Sequence, residues 1–317
     1  MSYRPALCSV ALAATAALTL AACGNGSSDA ATDSGGLSVV ASFYPLEYLA
    51  EQIGGSRVTV TDLTSPGVEP HDLELSPRQV GAMQRARMVL YLKGLQPAVD
   101  EAVAQSGARH VVEASALSPL VDHHLDEDPG PPSTEESGRQ HSRATGDPHI
   151  WLDPTRYAAV AKGVGEELAD ADPDHAAEYR RNAGTLINRL TALDQEFRSG
   201  LAPYKGKEFI TSHAAFGYLA DRYGVTQLAI NGVDPESEPS PARLADLQKQ
   251  AEAHGVTTIF FETLSSPKLA RTLADDLRLK TAVLDPIEGV KDPARDDYFS
   301  VQRRNLSNLR AALGGSR

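Results

Sequence analysis

Four residues spread along the chain have side chains that bind metal ions, and each lies where a chain connection is expected to be rigid. His71 lies in SPGVEPHDLELSP between a predicted strand and a predicted helix, where prolines and a glycine restrict the backbone. His149 lies in GDPHIWLDP, directly before a predicted helix. His213 and Asp285 each end a predicted strand, and ligands of parallel sheets bind beyond the carboxyl ends of the strands. Three imidazoles and one carboxylate form a donor set that suits zinc.

No local motif connects these four residues, because successive members are 78, 64 and 72 positions apart. Taken singly, a histidine in such a position is more often a helix cap or a hydrogen-bonded core residue, and Asp285 before a proline is typical of a turn. The only cysteines, Cys8 and Cys23, both lie near the N-terminus. A metal site in the folded part must therefore use histidines and carboxylates, and only the fold can assemble it.

Other potential ligands fall into two groups. Glu69 and Glu262 are carboxylates expected near the same point, and Glu262 at the end of TTIFFE would orient a ligand or take the place of Asp285. An acidic, Pro-rich segment, 121–148, carries seven acidic residues and almost nothing apolar. Its histidines are His123, His124 and His141. We expect this segment to be a solvated loop, either an auxiliary metal-binding loop or a charged insertion without that role.

The overall charge limits the classes of partner. The chain has 317 residues, with 30 Lys and Arg against 42 Asp and Glu, which gives a formal net charge of −12. This sign argues against nucleic acid or an anionic membrane surface as the main partner, whereas a cationic ligand fits it.

The N-terminus is predicted to be an export signal rather than part of the fold. Arg4 precedes an apolar run, Ala6 to Ala22, and residues 20–23 are Leu-Ala-Ala-Cys. These four residues resemble the bacterial lipobox, in which the cysteine, here Cys23, becomes the first mature residue and carries lipid. An ordinary secretory signal or an N-terminal membrane helix is the alternative. Residues 23–36 are predicted to be a flexible tether.

The pattern of the remaining chain is typical of an α/β protein. Short β-branched runs alternate with amphipathic segments in two arrays of four predicted strands, 37–115 and 208–285. Between the arrays, apolar residues recur at steps of three and four, which predicts one unbroken helix over 174–200, about 40 Å long. The same pattern would fit an ordinary surface helix of a single domain.

Four motifs together resemble a known family. PHDLELSP, DPHIWLDP, TSHAAFGYLA and LDPIEG occur in the order of the metal-ligand motifs of the zinc- and manganese-binding substrate-binding proteins of bacterial ABC importers. The resemblance implies two lobes, each a mostly parallel sheet flanked by helices, joined by a long rigid helix. The implied divisions are 37–171 for the first lobe, 172–202 for the helix and 203–317 for the second lobe. The first lobe would contribute His71 and His149, and the second His213 and Asp285.

The function that this resemblance implies is capture of a metal ion without catalysis. The chain would be a monomeric receptor, lipid-anchored to the outer face of the cytoplasmic membrane, that binds Zn²⁺ between its lobes and delivers it to an ABC permease and its ATPase. Histidine at position 213 accompanies zinc in this family, whereas glutamate there accompanies manganese, so Mn²⁺ is the alternative cargo. A metal-binding surface adhesin is a further alternative. A zinc hydrolase is least favoured, because it needs an open coordination position and the sequence has no HExxH, Gly-x-Ser-x-Gly or P-loop motif.

Overall fold

The computed structural model describes residues 36–123 and 146–315. The predicted export signal 1–22, the proposed lipidation site Cys23, and His124 and His141 of the acidic segment therefore lie outside the described residues. Among the described helices, none combines the length and the apolar character that a membrane span requires.

The first lobe is built on a four-stranded parallel sheet. Its strands are β1 (Leu37–Ala41), β2 (Val58–Asp62), β3 (Met88–Tyr91) and β4 (His110–Glu113). Its helices are α1 (Tyr44–Gly54), α2 (Pro77–Arg85), α3 (Pro97–Val103), α4 (Ala114–Leu117) and α5 (Pro154–Ala171). The strand order is β2-β1-β3-β4, and every pairing is parallel.

The second lobe repeats this arrangement. Its strands are β5 (Glu208–Thr211), β6 (Thr226–Ala229), β7 (Thr258–Phe261) and β8 (Lys280–Val283). Its helices are α7 (Gly217–Tyr223), α8 (Pro241–Ala253), α9 (Lys268–Leu277) and α10 (Tyr298–Leu313). The order β6-β5-β7-β8 is the same as in the first lobe, with the first strand of each array inside its sheet. The predicted α/β class with two parallel-sheet lobes is confirmed, whereas the lobe boundaries at 171 and 202 stay predictions.

A 26-residue helix, α6 (Ala176–Leu201), lies between the two sheets in the chain. The sequence predicts that this helix begins at position 174, but Pro173–His175 forms a 3₁₀ turn first and the α-helix begins at Ala176. The reason is that the Asp172 carboxylate accepts a hydrogen bond from the Tyr179 hydroxyl at 2.8 Å and lies 2.7 Å from Nδ1 of His175. It is therefore not used as a backbone cap.

Helix α6 packs against both lobes rather than on the surface of one. Asn182 donates to the carbonyl oxygen of Ile53, at the end of α1, over 2.9 Å. Farther along the helix, Asp194 accepts from Arg222 at 2.8 Å and from Tyr223 at 3.2 Å, both on α7. Buried apolar side chains of α6 belong to a core that is continuous from β1 to α10. The helix thus ties both lobes to one rigid element.

Candidate metal centre

Four side chains converge at the carboxyl ends of the two sheets. Ligand atoms of His71, His149, His213 and Glu288 all lie within 4.8 Å of one another. Glu288 Oε1 lies 3.3 Å from His71 Nε2, 3.0 Å from His149 Nε2 and 3.3 Å from His213 Nε2. The Nε2 atoms of His149 and His213 are 3.3 Å apart. The three predicted histidines therefore come together, and each lobe contributes two of the four residues.

The spacing of these atoms suits a tetrahedral ion. Ligand atoms bonded to zinc at about 2.0–2.1 Å in a tetrahedron lie roughly 3.3 Å apart. Four of the six separations, at 3.0 to 3.3 Å, agree with that edge, and all six are within 4.8 Å. Oε2 of Glu288 is buried and has no hydrogen-bond partner among the described residues. A buried carboxylate facing three imidazoles indicates a binding site for a cation.

His71 is held by a loop that is fixed at both ends. Its backbone N–H donates to Oε1 of Glu69 at 3.1 Å. At the end of the loop, Ser76 and Gln79 form a capping box at the start of α2. The Gln79 side chain also donates to the Leu63 carbonyl directly after β2, over 2.6 Å. The loop therefore presents His71 from a short span between a strand and a helix.

His149 is oriented by Asp147, a residue that was not predicted from the sequence. Oδ1 of Asp147 accepts from the backbone N–H of His149 at 2.9 Å and lies 2.7 Å from its Nδ1. A proton on Nδ1 shared with this carboxylate leaves the Nε2 lone pair facing the centre. The spacing Asp-x-His was a usable signal, because it places a carboxylate within reach of both nitrogen atoms.

His213 is oriented in the same way by Glu262. Its Nδ1 lies 2.6 Å from Glu262 Oε1, and the Ser212 hydroxyl donates to the same oxygen. The His213 carbonyl accepts from Thr211 at 2.7 Å and from Gln227 at 2.9 Å. Of the two roles predicted for Glu262, its position fits the orientation of His213, and it does not take the place of Asp285.

Asp285, the carboxylate expected as a ligand, is not among the converging side chains. Its Oδ2 accepts from the Thr263 hydroxyl at 2.7 Å, and its Oδ1 accepts from the Ile287 N–H at 2.8 Å. Its backbone N–H and carbonyl both bond to Asn305, over 2.9 and 2.7 Å. Because β8 ends at Val283, Asp285 already lies in the loop and closes a turn. The carboxylate that reaches the imidazoles is Glu288.

The turn before Glu288 contains a left-handed residue. Ile287 has φ of 59°, a conformation that a β-branched residue adopts at a cost of about 1–3 kcal/mol. The Asp285 carboxylate holds its N–H, and Trp151 Nε1 of the first lobe donates to the Pro286 carbonyl at 2.7 Å. These contacts impose the reversal of the chain that directs Glu288 back toward the histidines.

The pKa shifts of the converging side chains show that the site favours positive charge. Burial raises the pKa of Glu288, but His71, His149 and His213 outweigh it and hold the pKa well below its ordinary value. Burial lowers the pKa of His149 and of His213, yet their carboxylate neighbours raise both. Burial and the nearby Glu288 raise the pKa of Glu69 to about 8. The site therefore favours protons or a cation between its side chains.

The remaining predicted histidine within the described residues, His123, lies outside this group. Its Nδ1 is 2.7 Å from Asp147 Oδ2, and its Nε2 is 3.3 Å from Asp221 Oδ2 on α7. It is thus adjacent to the residue that orients His149.

The sequence is similar to those of known proteins. Residues 39–312 match the family described as zinc-uptake complex component A, periplasmic (ZnuA). The zinc-binding protein AdcA of Streptococcus pyogenes is 36% identical over 288 residues, which cover 87% of this chain and only 56% of AdcA. The chain thus spans little more than half the length of that relative. The high-affinity zinc uptake system protein ZnuA of Bacillus subtilis is 35% identical over 303 residues, covering 93% of this chain and 94% of that protein.

Solved structures show the same architecture. The laminin-binding protein Lmb of Streptococcus agalactiae, described as a bifunctional protein with adhesin and metal transporting activity, superimposes with a TM-score of 0.75 and 30% identity over 88% of this chain and all of Lmb. The resemblance drawn from the four motifs is confirmed. Since the family match covers most of its length, the chain belongs to the ZnuA family of zinc-uptake complex components.

Proposed function

We propose that this protein is the extracytoplasmic receptor of an ABC importer and binds Zn²⁺ as cargo between its two lobes. The ligands would be His71, His149, His213 and Glu288. The observation that carries the proposal is the convergence of these four side chains from separate connections of both lobes. The relatives AdcA and ZnuA, whose names state zinc binding and zinc uptake, support the choice of ion.

The donor set favours zinc over manganese. Three imidazole nitrogens and one carboxylate oxygen match the preference of zinc, whereas manganese prefers more oxygen ligands. The nearby carboxylates do not add oxygen to the set, because Glu262 faces Nδ1 of His213 and Asp285 faces its own turn. We therefore expect Mn²⁺ to bind much more weakly.

The geometry suits reversible capture. His71 and His149 come from the first lobe, and His213 and Glu288 come from the second. Any movement that separates the lobes removes two of the four ligands, which would release the ion to a permease. We extend the proposal to a permease and its ATPase as partners, a monomeric receptor, and a lipid anchor on Cys23 that keeps it at the outer face of the cytoplasmic membrane.

The same arrangement argues against hydrolysis. A catalytic zinc site has three protein ligands and an open position for water. Here four protein side chains surround one point, and three of them are fully buried. Binding rather than turnover is the chemistry that this site supports, as expected for a transport receptor.

An adhesive role is a second candidate, favoured by the adhesin activity stated for Lmb. Loss of zinc-limited growth on deletion of the gene, restored by the intact gene and not by a Glu288→Ala variant, would indicate uptake. If deletion of the gene abolishes surface adhesion and the Glu288→Ala variant restores it fully, the protein is an adhesin whose activity does not depend on the metal.

Metal analysis is the direct test of the proposed cargo. Protein purified without chelator should contain one zinc per chain at this site, and competition should favour Zn²⁺ over Mn²⁺ by orders of magnitude. The matched control is His254→Ala. His254 is not one of the four converging residues, and its Nδ1 lies 2.9 Å from Oε1 of Glu208. Equal affinity for the two ions, or unchanged zinc binding in Glu288→Ala, would contradict the proposal.

A further inference from the structure

We propose that His123 is a positioning residue for zinc: it fixes Asp147, which orients His149, and it connects that ligand to helix α7 of the second lobe. The inference rests on the proposed function. It starts from a histidine whose side chain is only 8% exposed although it stands at the beginning of an acidic, hydrophilic segment. A buried histidine in that place needs specific partners.

The partners of His123 are two carboxylates from different lobes. Its Nδ1 lies 2.7 Å from Asp147 Oδ2, and its Nε2 lies 3.3 Å from Asp221 Oδ2. The ring also meets the ring of Tyr218 edge to face, with centroids 4.3 Å apart. The buried Asp147 occupies Nδ1, so a metal ion could reach only Nε2, which has a single carboxylate beside it. These contacts favour a positioning role over that of an auxiliary ligand.

Asp147 divides its two oxygens between the two histidines. Oδ1 faces His149, at 2.7 Å from Nδ1, and Oδ2 faces His123 at the same distance. Asp147 is 4% exposed, so water does not readily take the place of either contact. Removing His123 would leave Oδ2 buried without this partner and free the carboxylate to rotate. The orientation of the proposed ligand His149 therefore depends on His123.

The backbone around His123 is closed by a separate set of bonds. Val121 and Asp147 form an antiparallel bridge, with the Asp147 N–H donating to the Val121 carbonyl at 2.9 Å. The Tyr218 hydroxyl donates to the Asp147 carbonyl at 2.7 Å and accepts from the Val121 N–H at 2.8 Å. Both ends of the acidic segment are thus joined beside His149, on the first residues of α7.

Helix α7 has a glycine where the His123 ring lies. A Cβ at Gly217 would come within 2.6 Å of Cγ and Nδ1 of His123 and within 2.9 Å of Oδ2 of Asp147. Such distances are far below van der Waals contact, so only glycine admits the ring at this place. Through Gly217 and Asp221, the second lobe therefore contacts the residues that orient a first-lobe ligand. His123 would resist separation of the lobes while zinc is bound.

The test distinguishes the packing of the His123 ring from the polar contacts of its two nitrogen atoms. His123→Phe keeps the packing on Gly217 and Tyr218 but removes both polar contacts. We expect it to raise the zinc dissociation constant roughly tenfold, the lower end of effects seen for residues that orient metal ligands, chiefly through faster release. His123→Asn retains a donor near the Nδ1 position and should recover most of the affinity. The matched control is His110→Phe, because His110 pairs with Glu167 at 2.7 Å in the same lobe.

Release is measured by stopped-flow mixing of the zinc-loaded full chain with a chromophoric chelator, and stoichiometry by metal analysis. In an Asp147→Ala background, His123→Phe should cause no further loss, because its target is gone. Should His123→Phe fail to fold, Gly217→Ala displaces the ring from the α7 side and should also speed release.

Three results would overturn the inference. Affinity and release rate of His123→Phe equal to those of the unaltered protein would show that His123 has no positioning role. Loss of one of two bound zinc ions would make His123 an auxiliary ligand instead. If the unaltered protein itself binds no zinc, the proposed function fails and this inference fails with it, which distinguishes that result from the first two.

Discussion

Two segments of the molecule begin with Asp-Pro and deliver a side chain to the same point, yet they do so in different ways. In both, the aspartate accepts a hydrogen bond from the backbone N–H two residues later: Asp147 from His149 at 2.9 Å and Asp285 from Ile287 at 2.8 Å. In the first segment that residue is itself the proposed ligand. In the second it is a left-handed isoleucine, and the proposed ligand, Glu288, follows it.

The second oxygen of each aspartate shows a further difference. Oδ2 of Asp285 accepts from Thr263, within the same lobe. Oδ2 of Asp147 faces His123, which in turn contacts α7 of the other lobe. The carboxylate of Asp285 is thus fixed within its own lobe, whereas that of Asp147 depends on how the lobes meet. In both, the aspartate shapes the backbone, and the proposed ligand is the residue that the turn presents.

The largest effect is expected from removing the presented side chain. His149→Ala and Glu288→Ala should each raise the zinc dissociation constant by at least about 100-fold, more than the loss of a residue that only orients a ligand. Competition with a chelator of known affinity measures the change, and circular dichroism checks that the fold is intact. Zinc binding that survives in either variant would remove that residue from the site.

A smaller effect is expected from removing the aspartates. Asp147→Ala and Asp285→Ala should each weaken zinc binding by about 10- to 100-fold, because each loses the contact that orients a ligand. Asp285→Asn is the sharper variant, since its amide oxygen can still accept from Ile287. Its affinity should stay within about fivefold of the unaltered protein, the equivalent of one neutral hydrogen bond. A loss in Asp285→Asn as large as in Glu288→Ala would make Asp285 a ligand after all.

The two segments also show what sequence reasoning can reach. The strands follow from β-branched runs, and the three histidines follow from their places in short connections between elements. Glu288 was missed because its position depends on a left-handed conformation at Ile287, which a β-branched residue rarely adopts. Likewise, the setting of His123 depends on Gly217, 94 positions away in the chain. A pattern of neighbouring residues carries no information about such contacts.

The pH dependence of zinc binding should distinguish the two aspartates. Although burial opposes it, Asp147 and Glu288 raise the pKa of His149, and Glu262 and Glu288 raise that of His213. Protons therefore compete with zinc at a higher pH than for free histidine, and affinity should begin to fall above the ordinary pKa of about 6.5 as the solution is acidified. Asp147→Asn should move this onset to lower pH, because the contact that raises the pKa of His149 is weakened.

Asp285→Asn is the control for that shift, because Asp285 is not among the groups that move the pKa of His149 or His213 most. Its onset should coincide with that of the unaltered protein. The measurement is a competition titration from pH 8 to pH 5 with a chelator whose own protonation is known. An affinity that stays constant over this interval would contradict histidine ligation, and equal shifts in both variants would contradict the distinction between the aspartates.

The smallest effect concerns the strain at Ile287, which has no counterpart beside His149. Ile287 is fully buried, so replacing it removes apolar contacts whichever small residue is chosen. The informative comparison is between Ile287→Gly and Ile287→Ala, because the two variants lose nearly the same contacts. At a left-handed position alanine is strained and glycine is not, so Ile287→Gly should be more stable than Ile287→Ala by about 1 kcal/mol. At Ile150, in the 3₁₀ turn after His149, the order should reverse, since alanine restricts the unfolded chain without strain in the native one. Urea unfolding of the four metal-free variants measures both differences in stability. If Ile287→Ala is more stable than Ile287→Gly, the turn before Glu288 relaxes when the side chain is removed.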